Sequence, residues 1–165
     1  MLFIAVSTIA QSSKDKEIIS DSQEAKASFT KQDPSLGGLF SKAYAYAIFP
    51  NVGKGGLGIG GAAGNGTAYE KGKLVGMAKL KQVTIGLQAG GQGYREVIFF
   101  ENAESFKKFK ENNVEFSAQV SAVAATAGAS ANAKYNEGVM VFTMQKGGLM
   151  YEASVGGQKF KFSKL

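Results

Sequence analysis

K-L-V-G-M-A-K-L-K-Q-V-T-I-G-L-Q-A, residues 73–89, is the stretch on which the fold turns. Val83, Ile85, Leu87 and Ala89 share one side of a two-residue period, and Gln82, Thr84, Gly86 and Gln88 share the other. That alternation marks a strand with one buried face. Earlier in the run Lys73, Lys79 and Lys81 share one parity, opposite Leu74, Ala78 and Leu80, so the predicted strand carries a basic face.

Upstream, Lys71-Gly72 is a weak hairpin signal and Asn65-Gly66 a stronger one. Between Gly55 and Ala63, Gly alternates with Leu, Ile and Ala, which suits a strand packed closely on another backbone. Downstream, Gly90-Gly91 breaks the pattern and Arg95–Phe100 reads as a further strand. Glu101–Glu111 then reads as a helix with Asn102 as N-cap, Phe106, Phe109 and Val114 inward, and Lys107, Lys108 and Lys110 in solvent. In Glu115–Ala129, Phe116, Ala118, Val120, Ala122 and Ala124 alternate with Ser117, Gln119 and Ser121, which predicts a strand. Gly138–Gln145, Gly148–Val155 and Gln158–Phe162 complete an antiparallel run, in which Lys159 and Lys161 alternate with Phe160 and Phe162.

The N-terminal part differs. Ser12–Thr30 is helix-permissive, with Ile18, Ser22, Ala25 and Phe29 as a weak apolar stripe. Asp33-Pro34 predicts a second helix, Asp33 capping it and Pro34 opening it, with Leu36, Leu39, Phe40 and Ala43 on its inner face. Tyr44–Phe49 fits the last turn of that helix or a first strand, and Pro50 is expected to end it. The fold class is therefore α+β. A helical segment, about 12–45, precedes a multi-stranded antiparallel β-sheet, about 46–165, folded as a sandwich or partly open barrel with one inserted helix. Residues 11–165 form one domain.

Residues 1–10 are apolar, end in Thr8-Ile9-Ala10 and are followed by polar Gln11–Lys14. This matches the end of a secretion signal, without a positive n-region, and is too short to span a bilayer. The alternative is a short buried N-terminal strand or helix turn. An exported, periplasmic or envelope location is expected, or a cytoplasmic membrane-peripheral one if the segment is not a signal.

The 165 residues include no His, no Cys and no Trp, and carry a net charge of +6. Disulfides, thiolate and imidazole metal sites, Ser-His triads and Cys nucleophiles are excluded. Gly56–Gly61 satisfies G-x-G-x-x-G, but turn sequence follows where a dinucleotide site needs a helix. Glu96, Glu101, Glu137 and Glu152 show no paired spacing. No cofactor and no metal is implied, and the reading is non-enzymatic. Any chemistry would fall to a residue such as Tyr94, Lys146 or Glu152.

The basic excess points to an anionic partner. Candidate head-group contacts are Lys54, Lys73, Lys79, Lys81, Lys107, Lys108, Lys110 and Lys146, against the alternative of scattered solvated lysines. Nucleic acid is not expected, for no RNP-like string or helix-turn-helix pattern is present.

Three strings carry a family resemblance. They are A-I-F-P-N-V-G-K-G-G-L-G-I-G-G (Ala47–Gly61), I-G-L-Q-A-G-G-Q-G-Y-R-E-V-I-F-F (Ile85–Phe100) and G-G-L-M-Y-E-A-S-V-G-G-Q-K-F (Gly147–Phe160). In this order they resemble the SYLF domain family, also called the Ysc-type lipid-binding domain, from about Phe40 to the C-terminus. The resemblance implies binding of phosphoinositides and other anionic phospholipids, and in eukaryotic members a link to actin and membrane remodelling. It also implies an N-terminal segment that engages the bilayer, here with Ile18, Phe29, Leu36, Leu39 and Phe40 as membrane-insertion anchors. The chain resembles stand-alone bacterial members, for which an anionic phospholipid membrane such as phosphatidylglycerol or cardiolipin is the expected partner and actin is not, in a secreted form. Two rivals stand beside it: a carrier enclosing an apolar ligand, lined by Ser117–Ala133, and a structural or protein-interaction module using Gly-rich edges. No motif encodes an oligomeric state.

Overall fold

The computed structural model describes residues 12–54, 61–83, 93–112, 114–117, 119–145 and 155–165. Helix α1 (Ser13–Gln32) and the short helix α2 (Leu36–Lys42) come first. Strands β1 (Ala45–Lys54), β2 (Gly61–Glu70), β3 (Lys73–Val83) and β4 (Tyr94–Phe100) follow. Then come α3 (Ala103–Lys110), the three-residue β5 (Ala122–Ala124), a 3-10 turn (Ala129–Asn132), β6 (Val139–Gln145) and β7 (Lys159–Lys164). The strands make one open sheet in the order β5-β6-β4-β1-β2-β3-β7. The fold is α+β, as expected. The sheet is mixed rather than antiparallel throughout, because β5 joins β6 in parallel.

Alternation along β1 explains the two cores. Tyr46 and Ile48 face α1 and α2, where they meet Ala25, Phe29, Leu36 and Phe40. Ala45, Ala47 and Phe49 face the other way, into a core shared with α3, Phe116 and Phe160. The sheet bends round this second core. α3 touches β4 through Phe100 and Phe106, ring centroids 5.3 Å apart, and reaches the β7 edge through Phe109 and Phe160 at 5.6 Å.

Local signals account for several elements. Asn102 caps α3 by accepting from Ser105 N at 2.9 Å, and Ser105 closes a reciprocal capping box. Phe106 and Phe109 point inward, as the spacing predicts. The α1 stripe holds at Ser22, Ala25 and Phe29, all buried. Lys71 and Gly72, at φ 51° and 83°, form the two-residue β2–β3 hairpin.

Five expectations are corrected. Asn65-Gly66 is no turn; both lie inside β2, paired with β1 on one side and β3 on the other. Gly66 is there for closeness: a Cβ would overlap the Ile48 carbonyl oxygen and sit 2.7 Å from Phe49 Cδ1. Pro50 does not end its element. It occupies a bulge in β1, where the registers to β2 and β4 both shift, so the missing N–H is absorbed. Glu115–Ala129 is not a long strand. Within it 122–124 pairs in parallel with the free edge of β6, and Glu115 makes one isolated bridge to Lys159 of β7. Asp33 does not cap α2, which begins at Leu36 behind Ser35. It ends α1 instead and accepts hydrogen bonds from Ser35 N at 3.1 Å, Gly128 N at 3.1 Å and Ser130 N at 2.8 Å, tying the helices to the far loop. Finally, Lys73 does not share a face with Lys79 and Lys81. A bulge in the β2–β3 register between Ala68 and Tyr69 turns Leu74 towards the helices while Ala78 and Leu80 face the other core.

The expected strand in Gly148–Val155, the rest of the 73–89 strand beyond Val83 and most of the Gly55–Ala63 segment lie outside the described residues. So do residues 1–11 with their signal-like segment. No described helix is long and apolar enough to cross a membrane.

Candidate functional site

The pairing of β3 with the edge strand β7 builds the most basic feature of the described surface. In this register Lys79 lies opposite Lys161, and Lys81 opposite Lys159. Their neighbours Ala78, Leu80 and Phe160 point into the core, so alternation sends all four lysines to the other face. All four are exposed. On the same face Asn65 of β2 lies opposite Lys79, and Asn51 of β1 opposite Asn65. Together they line an open groove of about 480 Å³. It lies on the helix-bearing face of the sheet and runs across β1, β2, β3 and β7.

Like charges directly opposite on adjacent strands repel, by on the order of 0.5–1 kcal/mol per pair in a watery setting. Two such pairs stand side by side here. The lone ion pair among the described residues joins Lys110 to Glu70 at 3.8 Å, on another part of the molecule. An anion seated between the lysines would turn four-way repulsion into attraction. Lysines on an edge strand also block edge-to-edge pairing, a purely structural use.

The eight lysines singled out in the sequence do not form one site. Lys79 and Lys81 enter the groove; Lys73 is exposed on the opposite face. Lys107 and Lys108 are exposed on α3, and Lys108 borders a separate cleft with Glu101, Glu104, Glu115 and Glu137, where carboxylates outnumber it. Lys110 is half-buried, paired with Glu70 and held 5.0 Å over the Phe106 ring. Lys146 and the side chain of Lys54 lie outside the described residues. Lys159 and Lys161 were not singled out. Their alternation with phenylalanine was plain, but nothing within β7 reveals that β3 is its neighbour.

Of the apolar anchors, Phe29 and Leu36 are fully buried and Phe40 nearly so, all packed against Tyr46 and Phe99. Ile18 and Leu39 are half-buried. Lys26 fastens α1 to the sheet: its Nζ donates to Tyr46 Oη at 3.1 Å and lies 5.2 Å over the Phe40 ring. Insertion of these anchors into a bilayer therefore requires both helices to leave the sheet.

A second polar feature lies inside the bent core. Glu96 of β4 is fully buried, and its Oε1 accepts from Gln158 Nε2 at 2.9 Å. Burial pushes its carboxyl up to about 8, against the lowering effect of the Gln158 hydrogen bond. Burial, then the nearby Glu96, raises the Tyr94 phenol as well. Among the described residues no group of three or more His, Cys, Asp or Glu side chains is placed to hold a metal.

Comparison with known proteins bears on this geometry. The Ysc84 family model, described as Las17-binding protein actin regulator, matches residues 81–164. The chain belongs to the Ysc84 family. This is the SYLF domain that the three sequence strings resemble, and its members are binding domains. The matched span runs from Lys81 in β3 through β7, so it takes in three of the four groove lysines. Beta cell expansion factor A of Aeromonas veronii is 33% identical over 135 residues, which cover 81% of this chain and 51% of that protein. The chain thus spans about half the length of that relative.

Proposed function

We propose that this Ysc84-family domain binds anionic phospholipid at a membrane surface, without catalysis, and that the β3–β7 groove is its head-group contact. The observation that carries the reading is the double cross-strand lysine pair, Lys79–Lys161 and Lys81–Lys159: none of the four makes an ion pair among the described residues, although Glu115 lies opposite Lys159 across an isolated bridge. Each lysine near an anionic leaflet contributes about 1 kcal/mol, so the four together supply on the order of 4 kcal/mol. Asn51 and Asn65 add neutral hydrogen-bonding groups to the same groove. The four lysines are already exposed, so docking needs no rearrangement of the fold. Insertion of Phe29, Leu36 and Phe40 would be a later step that costs the helix-side core. An enclosed apolar ligand is less favoured: Phe49, Phe100, Phe106, Phe109 and Phe160 fill the concave side of the sheet with their own rings.

Vesicle co-sedimentation tests the proposal. The domain should pellet with phosphatidylglycerol-containing vesicles, stay in the supernatant with phosphatidylcholine alone, and be released as salt rises. Equal pelleting with both lipids, or binding indifferent to salt, would sink it.

A further inference from the structure

We propose that the buried polar cluster around Glu96 is a binding site for a single alkali-metal cation. Three strands and one loop bring the cluster together. Glu96 and Tyr94 come from β4, Gln82 from β3, and Gln158 from the residue before β7. Thr143 of β6 lies directly opposite Glu96 in the β4–β6 register, so the two side chains share a face. Glu96, Gln82, Gln158 and Thr143 have no exposed surface.

The amide donors in this cluster are spoken for. Gln158 Nε2 lies 2.9 Å from Glu96 Oε1, 3.3 Å from Gln82 Oε1 and 3.5 Å from Tyr94 Oη, so its two N–H groups are shared among three acceptors. Gln82 Nε2 donates to the Gly156 carbonyl at 3.3 Å. What is left over is oxygen. Glu96 Oε2, Gln158 Oε1 and Thr143 Oγ1 have no hydrogen-bond partner among the described residues. Three such atoms on the face of the sheet that carries Ile98 and Val141 are unusual, because each buried unpaired polar atom is destabilising.

Their chemistry selects the guest. Carboxylate, amide and hydroxyl oxygens are the ligands of hard cations, not of soft metals. The cluster has one carboxyl group, so a monovalent ion that displaces its proton leaves the site neutral, whereas a divalent ion would leave an uncompensated positive charge in an apolar core. The groove lysines are on the opposite face of the sheet and do not compete for Glu96.

Thermal unfolding of the whole domain in sodium, potassium and choline chloride at equal concentration tests this. Sodium or potassium should raise the midpoint by about 3 °C or more over choline at about ten times the dissociation constant. The shift should vanish in Glu96→Gln and shrink in Thr143→Val, which keeps the side-chain shape if the first variant folds poorly. Equal midpoints in the three salts, as a lone structural water would give, overturn the proposal. So does a sodium or potassium shift that survives in Glu96→Gln. A calcium or magnesium shift without a sodium or potassium one overturns the monovalent assignment.

Discussion

Replacing Gly66 with alanine tests the reading of the glycines as points of close strand approach. Gly66 is not among the residues with positive φ, so the cost of a side chain there is steric, not conformational. The new Cβ would overlap the Ile48 carbonyl oxygen and lie 2.7 Å from Phe49 Cδ1 and 2.9 Å from Ile48 C. Ordinary Cβ contacts begin near 3.4 Å. The central strands β1 and β2 would have to part locally, weakening the ladder around Ile48 and Thr67, which are register partners. Overpacking plus one or two lost backbone hydrogen bonds comes to about 3–5 kcal/mol. For a domain of this length that lowers the melting midpoint by roughly 6–20 °C. Gly38→Ala is the control. It lies in α2 with nothing within 4 Å of a built Cβ, and should stabilise by about 0.5–1 kcal/mol. Calorimetry or circular dichroism reads both. A Gly66→Ala midpoint within about 2 °C of wild type would refute the reasoning.

Other expectations follow from single contacts. Burial pushes the Asp33 carboxyl up, but hydrogen bonds from Ser130, Gly128 and Ser35 outweigh this and hold it below its ordinary value. Its stabilising effect is therefore complete above the unfolded value of about 3.9 and is lost as pH falls through the folded one. Asp33→Asn should cost about 2 kcal/mol at neutral pH and converge with wild type in acid, read by urea unfolding across pH; a pH-independent difference would contradict it. Asn102→Ala removes the α3 cap and should cost about 1 kcal/mol, measured the same way, while no loss would mean the capping box is idle.

Local chemistry made much of this fold legible. The α3 helix carries its own cap and two inward phenylalanines, and β4, β6 and β7 each declare a face by composition or alternation. Failures came where distant contacts decide. Asn65-Gly66 has the residues of a turn, yet its glycine serves a neighbouring strand's carbonyl. Pro50 breaks elements in isolation but fits a bulge between two partners. The Ala- and Ser-rich stretch after Glu115 alternates like a strand, yet only Ala122–Ala124 pairs along the middle of β6. The groove is the same lesson at the site. Half of it, Lys79 and Lys81, was visible as a basic face, while Lys159 and Lys161 joined only through β3–β7 pairing. Glu96 looked like one unpaired acid among several, because its partners come from β3, β6 and the β7 approach.

The central claim is tested most directly by vesicle binding of two charge variants. Lys79, Lys81, Lys159 and Lys161 changed together to serine should weaken binding to phosphatidylglycerol vesicles by on the order of 10³-fold, from about 1 kcal/mol per lysine, and flatten its salt dependence. Lys73, Lys107 and Lys108 changed to serine should leave most of the binding intact, since they lie away from the groove. Equal losses in the two variants would contradict the assignment of the groove, and full binding by the fourfold variant would end it.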